Sequence, residues 1–107
     1  MKLIMAIVNK KDVKSVCQAL MKDGFQFTKI SSTGGFLTVG NTTLIIGTED
    51  NKLEKGLDII RNHCKKRVVK VPSLMYSNAM YPSSLPMDVI VGGAIVFVSN
   101  VERFEKM

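Results

Sequence analysis

The segment FQFTKISSTGGFLTVGNTTLIIG, residues 25–47, decides the fold, because it holds two short strand patterns joined by a glycine-rich connection. Apolar and polar residues alternate from Phe25 to Ile30, which is typical of a β-strand. A second strand pattern, with an apolar run at its centre, covers Thr42 to Gly47. Two strands this close in sequence are expected to pair as a hairpin. The segment therefore predicts an antiparallel sheet.

The middle of this segment, residues 28–43, admits two interpretations. Its glycines and Asn41 accept positive φ and let a ligand approach the backbone closely, its hydroxyls supply hydrogen bonds, and Phe36 supplies a flat apolar face. That combination suits a planar, oxygen-rich molecule such as a nucleotide. The simpler interpretation, which the pattern alone favours, is a pair of β-turns built from ordinary turn residues.

Upstream of the segment, the pattern predicts one strand and one helix. Residues Lys2 to Val8 are short, apolar and β-branched, as in a buried strand. Asp12 is a candidate helix cap, and Gly24 stands where a helix-ending glycine is expected. Between them an apolar stripe recurs at helical spacing, formed by Val13, Val16, Cys17, Leu20 and Met21.

Downstream, a second helix and two further strands are predicted. Asn51 and Glu54 form a plausible capping pair, and the helix that follows has the apolar stripe Leu53, Leu57, Ile60 and Cys64. Residues 67–71 are a short strand. Residues 72–86 contain all three prolines and are expected to be a long, flexible loop. Residues 88–98 are predicted as one long strand broken by a bulge or a bend at Gly92-Gly93, and residues 101–104 as a short turn or helix.

The order of these elements, β-α-β-β-α-β with an added strand, predicts an α+β, ferredoxin-like fold in one domain, residues 1–107. Both helices are expected on one face of the antiparallel sheet. Apolar positions such as Leu3, Met5, Ile45 and Val96 occur on both faces of the strands. Two helices cannot cover both faces, so the second face is expected to be buried against other subunits.

Composition restricts the classes of function. The chain has a formal net charge of +6, but its lysines are scattered apart from Lys65-Lys66-Arg67, and no nucleic-acid motif is present. That charge favours anionic ligands weakly. No apolar run reaches the ~20 residues that a membrane span needs, and no signal peptide is evident, so a cytoplasmic protein is expected. The two cysteines fall on apolar helix stripes and His63 is expected at the surface. No catalytic or metal-binding set is apparent, so no enzyme and no cofactor are predicted.

The chain resembles the PII-like cyclic di-AMP receptor proteins of Gram-positive bacteria nearly from end to end. The resemblance rests on the blocks MKLIMAIV (1–8), TK (28–29), TGGFL (33–37), GNTT (40–43) and VGGAIVFV (91–98). It implies a homotrimer of ferredoxin-like subunits, with a short loop after the second strand and a long loop before the last. It also implies a binding protein whose ligand, cyclic di-AMP, sits between subunits and changes the order of the loops.

The resemblance also implies a set of site residues, namely Gln26, Phe27, Thr28, Gly35, Phe36, Leu37, Asn41, Gly47, Phe97 and Lys106. Thr28 and Asn41 would hydrogen-bond an adenine or the sugar-phosphate ring. Residues 35–37 and Gly47 would line the pocket, and Phe97 would lie near the second base. Stacking a purine on an aromatic side chain contributes roughly 1–3 kcal/mol.

Two positions depart from the family pattern. Members often carry an arginine where this chain has Gln26 and an asparagine where it has Gly24. Gln26 can hydrogen-bond, but it cannot make a bidentate, charge-assisted contact to phosphate. Lys106, where a glutamine can occur, or Lys29 would return a positive charge near the phosphates.

The leading hypothesis is therefore a trimeric cyclic di-AMP receptor that regulates a protein target. The alternative is a PII-like regulator that binds another adenine nucleotide, such as ATP or ADP, or none, and acts through protein contacts made by the long loop. Neither hypothesis involves nucleic acid or membrane insertion, and the sequence does not identify the target.

Overall fold

The computed structural model describes residues 1–32, 41–72 and 86–107. These residues form β1 (Lys2–Asn9), α1 (Val13–Lys22), β2 (Gln26–Ser32), β3 (Asn41–Thr48), α2 (Leu53–His63), β4 (Arg67–Pro72), β5 (Pro86–Val91) and β6 (Ala94–Asn100). A short 3-10 turn, Asp50–Lys52, leads into α2. Residues 33–40, with the site residues Gly35, Phe36 and Leu37, and residues 73–85 of the predicted loop lie outside the described residues.

Four of the strands form an antiparallel sheet in the order β2-β3-β1-β6. The hairpin predicted from residues 25–47 is the β2–β3 pair, in which Phe27 faces Ile46 and Thr28 faces Ile45. With two helices this arrangement is a small α+β fold compatible with the ferredoxin-like topology, as predicted. Strands β4 and β5 pair with each other in a separate two-stranded sheet, up to Pro72 opposite Pro86.

Both helices cover the same face of the sheet, because every second residue of the central strands joins one core. Its buried members are Ile4, Ala6, Val8, Val16, Cys17, Leu20, Phe25, Leu44, Ile46, Ile59, Ile60 and Cys64. Met21 was expected in this core but is 66% exposed, one residue before the end of α1. We call the face that carries no helix the open face.

The two cysteines are free and buried, as predicted. Burial raises the pKa of the Cys17 thiol, and the nearby Lys29 opposes that shift. Burial also raises the pKa of Cys64 to about 12; the Asp12 carboxylate adds to the shift and Arg67 opposes it. Both thiols therefore pack as small apolar side chains.

The end of α1 follows the sequence prediction, whereas both helix starts differ from it. Gly24 has φ +81°, and its N–H and that of Phe25 donate to the carbonyls of Met21 and Leu20, which completes a Schellman motif. Asp12 occupies the N-cap position of α1 without a side-chain capping bond. The predicted Asn51 cap is wrong, because Asn51 lies within the 3-10 turn, and the N-cap of α2 is Lys52, one residue before the helix begins at Leu53.

Asp12 instead anchors the β4–β5 hairpin. Its Oδ1 lies 2.9 Å from Arg67 Nη2, where β4 begins, and the Asp12 side chain is only 7% exposed. The contact ties the base of the hairpin to the start of α1.

The predicted last strand is two strands, β5 and β6, and of the two predicted alternatives at Gly92-Gly93, a bulge or a bend, the structure shows a bend. Gly92 and Gly93 have φ values of +87° and +78° and end β5 before β6 begins. A Cβ on Gly92 would lie 2.5 Å from the carbonyl oxygen of Lys65. The two glycines therefore form a corner that sends β5 into the hairpin and β6 into the main sheet. The part of the chain after β6 is not helical, and Val101 N–H donates to the carbonyl of Met1.

Candidate ligand-binding site

The open face is built from rows of side chains that the strand register brings together. One row runs Gln26, Gly47, Leu3, Ser99, the next runs Thr28, Ile45, Met5, Phe97, and a third runs Ile30, Thr43, Ile7, Ile95. Five of the predicted site residues therefore share this face: Gln26, Thr28, Asn41, Gly47 and Phe97. The alternation of β2 directs the Phe27 side chain to the core, against which it packs, although Phe27 also borders the cleft beside Thr28.

A cleft of about 550 Å³ opens at one corner of this face, and we call it the Thr28 cleft. Its lining is Met1, Leu3, Gln26, Phe27, Thr28, Ile45, Gly47, Val101 and Phe104. Leu3 and Ile45 give it an apolar floor, while Gln26 and Thr28 supply an amide and a hydroxyl. Binding pockets for small molecules have this composition, apolar surface with a few polar groups.

A second, smaller cleft adjoins the first and shares Met1, Gln26, Gly47 and Phe104 with it. This Lys106 cleft measures about 280 Å³, and Gly24, Phe25, Thr48, Glu49, Lys52 and Lys106 complete its lining. Gly47 lies between the two clefts. A Cβ there would make only an ordinary contact, 3.7 Å from Met1 Cε, so a larger side chain at this position would extend into the space of the clefts.

The positively charged groups around these clefts differ in whether they already have a hydrogen-bond or ion-pair partner. Lys52 Nζ donates to the carbonyl of Asp23 at 3.1 Å and lies 4.4 Å from the centre of the Phe25 ring. The amino group of Met1 lies 2.9 Å from Asp50 and lowers the pKa of that exposed carboxyl, chiefly by hydrogen bonding. Lys106 takes part in no ion pair among the described residues.

The register also separates the two lysines that were candidates for a charge near the phosphates. Lys29 faces Leu44 on the helix-covered side of the sheet, where it acts on Cys17. Lys106 lines the cleft beside Gln26 and Gly47. In the described part of the chain, Lys106 is thus the lysine of this pair that a ligand in the clefts would meet.

The predicted residues do not converge on one pocket within a single chain. Gln26, Thr28, Gly47 and Lys106 lie together at the clefts. Asn41 is six residues from Gly47 along β3, about 20 Å away. Phe97 lies at the other edge of the sheet, across β3 and β1 from Thr28 and about 14 Å from it.

Sequence reasoning named Lys106 in the C-terminal segment but missed Val101 and Phe104, which also line the clefts. Phe104 is 64% exposed and lines both clefts, and Val101 lines the larger one. The neighbouring side chains Arg103 and Glu105 form an ion pair of 2.8 Å. Val101 N–H donates to the carbonyl of Met1, and this contact between the two ends of the chain is one that the sequence pattern does not indicate.

One further close pair of potentially reactive side chains lies between the two helices. Ser15 Oγ and His63 Nδ1 approach to 2.6 Å between α1 and α2, but neither residue lines the two clefts, so the pair is an interhelical hydrogen bond. Among the described residues, no group of three metal-ligating side chains occurs. No helix in the described ranges is long and apolar enough to cross a bilayer.

Comparison with known proteins assigns the whole chain to one family. Residues 1–107 match the family model described as cyclic-di-AMP receptor. Among solved structures, the chain is similar to a functionally unknown protein from Pediococcus pentosaceus ATCC 25745. The two share 35% sequence identity and superpose with a TM-score of 0.78, over 99% of this chain and 96% of the other.

Proposed function

On the premise that this chain belongs to the cyclic-di-AMP receptor family, we propose that it is a PII-like signal transduction protein that binds cyclic di-AMP. The ligand lies at the subunit interfaces of a homotrimer and changes the order of the loops, which regulates a protein target in the cytoplasm. The observation that carries the proposal is the pair of connected clefts beside Gln26, Thr28 and Gly47. The role is binding rather than catalysis.

The lining of the Thr28 cleft suits an adenine. An amide side chain such as that of Gln26 can donate to and accept from the edge of the base that carries N6 and N7. The Thr28 hydroxyl adds a second donor and acceptor on the same side of the cleft. Phe104 offers an exposed aromatic surface for stacking. Gln26 has no positive charge to pair with a phosphate, and Lys106 supplies one.

The separation of the predicted residues favours a site shared by subunits. Asn41 and Phe97 lie too far from the clefts to close the same pocket within one chain. On the open face, Met5, Ile30 and Phe97 are 38%, 44% and 47% exposed. A contiguous apolar surface of this kind marks an interface. We therefore propose that the open faces of three subunits pack together and that Phe97 of one subunit approaches the clefts of the next.

Isothermal titration calorimetry with cyclic di-AMP, cyclic di-GMP and ATP tests the ligand. We expect cyclic di-AMP alone to bind with micromolar or tighter affinity. Gly47→Val should weaken that binding at least about tenfold, because a branched side chain fills the junction of the clefts. Ser99→Val is the matched control, since Ser99 lies in the same row of the sheet but lines neither cleft.

Equal affinity of Gly47→Val and wild type would exclude these clefts as the site. Tighter binding of ATP than of cyclic di-AMP would support the alternative, a PII-like regulator for another adenine nucleotide. Sedimentation of wild type and both variants tests the assembly separately. A folded monomer at micromolar concentration would contradict the trimer.

A further inference from the structure

A third cleft lies on the opposite side of the sheet from the proposed nucleotide site, between the second half of α2 and the start of β6. We call it the α2–β6 groove. It measures about 390 Å³, and its lining is Leu57, Ile60, Arg61, Cys64, Lys65, Lys66, Gly93, Ala94 and Val96. It forms because β6 is an edge strand and α2 does not cover it completely.

The floor of the groove is apolar, and its rim is positively charged. Leu57, Ala94 and Val96 are partly buried against the core, so they present apolar surface to the groove. Arg61, Lys65 and Lys66 are exposed at its rim. The sequence run Lys65-Lys66-Arg67, which the proposed nucleotide site does not use, thus supplies two of the three rim cations.

The two lysines at the rim are available to a partner. Arg61 pairs with Asp58, and Arg67 pairs with Asp12. Neither Lys65 nor Lys66 takes part in an ion pair within the described ranges. The stem of Lys66 lies against Gly93, with its Cγ 3.0 Å from the position that a Cβ would take. The glycine corner therefore gives this side chain the space in which it lies.

We propose that the α2–β6 groove is a docking site for an acidic, amphipathic segment of a partner protein. Apolar side chains of the segment fill the floor, and its Asp or Glu residues pair with Lys65, Lys66 and Arg61. Charge complementarity of this kind selects partners and accelerates association. The inference does not depend on the identity of the nucleotide, because the groove and the nucleotide clefts have no lining residue in common.

Two other classes of anion fit the groove less well. A compact anion at this point would face the C-terminal end of α2, where the helix dipole is negative, and it would leave the apolar floor uncovered. Single-stranded nucleic acid is bound by grooves with aromatic residues on which bases stack, and the lining has no aromatic side chain. An acidic peptide with apolar anchors satisfies both the rim and the floor.

Selection of peptides from a random phage-displayed library on the wild-type protein tests the proposal without assuming a partner. We expect the enriched peptides to combine Asp or Glu with Leu, Ile, Met or Phe. A synthetic copy of the most enriched peptide should perturb the backbone amide of Gly93 in a heteronuclear NMR spectrum. It should also bind Lys65→Glu/Lys66→Glu about tenfold more weakly or worse, because two attractive contacts become repulsive.

The control is Lys10→Glu/Lys11→Glu, which changes the net charge by the same amount at exposed lysines outside the groove lining. It should bind the peptide like wild type. Equal weakening in both variants would show that only net charge matters and would overturn the proposal. Enriched peptides without acidic residues, or shifts that leave Gly93 unchanged, would also overturn it. Lys65→Gln/Lys66→Gln, with a milder loss expected, guards against misfolding of the charge-reversed protein.

Discussion

Removal of Arg67 should destabilise the fold mainly through the carboxylate that it leaves behind. Asp12 is 7% exposed, its Oδ1 pairs with Arg67 Nη2, and its Oδ2 is buried with no hydrogen-bond partner among the described residues. Arg67→Met keeps most of the side-chain volume but leaves the Asp12 carboxylate buried without its positive partner. Breaking a buried pair in this way costs about 3–5 kcal/mol. Since Arg67 is itself 42% exposed, solvent replaces part of the interaction, and we expect a loss of about 2 kcal/mol.

A double-mutant cycle isolates this effect. Asp12→Asn removes the charge with little change of shape, and no capping bond is lost because Asp12 makes none through its side chain. Arg67→Met should then cost no more than about 0.5 kcal/mol in the Asp12→Asn background. The measurement is urea unfolding of the four proteins at one pH and protein concentration, followed by circular dichroism.

Equal cost of Arg67→Met in the two backgrounds would refute this reasoning, because the arginine would then act through packing and not through Asp12. The cycle also informs on the hairpin. If the pair holds the base of the β4–β5 hairpin, Arg67→Met should increase hydrogen exchange of the amides of β4 and β5 more than that of β1 and β3.

Three further predictions follow from the geometry. Lys106→Gln should weaken cyclic di-AMP binding up to about fivefold in calorimetry, and Lys29→Gln should not; the reverse order would contradict the register argument. Gly92→Ala and Gly24→Ala both place alanine at positive φ, which costs about 1 kcal/mol each, but only the new Cβ at position 92 would clash with backbone, the carbonyl of Lys65. Gly92→Ala should therefore be the less stable of the two in urea unfolding, and equal stability would be inconsistent with that clash. The pKa of the Cys64 thiol is raised from 9.0 to about 12 in the folded state, so the unfolded chain releases this proton first, and the free energy of unfolding should fall from pH 9 upward by at most about 1.4 kcal/mol per pH unit. The free energy of unfolding of Cys64→Ala should fall less over that range, and an equal fall in the two proteins would disprove the prediction.

The sequence was sufficient to predict the β2–β3 hairpin and the antiparallel sheet. Alternation along β2 places Gln26 and Thr28 on one side of the sheet and Phe27 on the other. The same alternation places Lys29 on the helix-covered side of the sheet, away from the clefts, although Lys29 is next to Thr28 in the sequence. These features were predictable because they depend on local periodicity and on the hairpin alone.

The features that the sequence did not predict depend on contacts between distant segments. A Gly-Gly pair within an apolar run is compatible with a bulge or with a corner, and only the packing of Gly92 against Lys65 selects the corner. Asp12 stands at a helix start, where a carboxylate usually caps the helix. Its carboxylate instead accepts a hydrogen bond from Arg67, which is 55 residues away in the sequence. Phe104 follows the last strand, and nothing in its neighbours indicates that it lines the clefts.

The corner at Gly92-Gly93 links the two surfaces for which we propose functions. Gly93 lines the α2–β6 groove directly, whereas β6, which begins one residue later, carries Phe97 on the open face. On the other side of the corner, β5 pairs with β4, which Arg67 ties to Asp12. A ligand that binds Phe97 at a subunit interface would therefore contact β6, and the first residues of β6 also line the α2–β6 groove. If the ligand favours one position of β6, occupation of the nucleotide clefts and docking at the groove become coupled, and by linkage each must change the affinity of the other by the same factor.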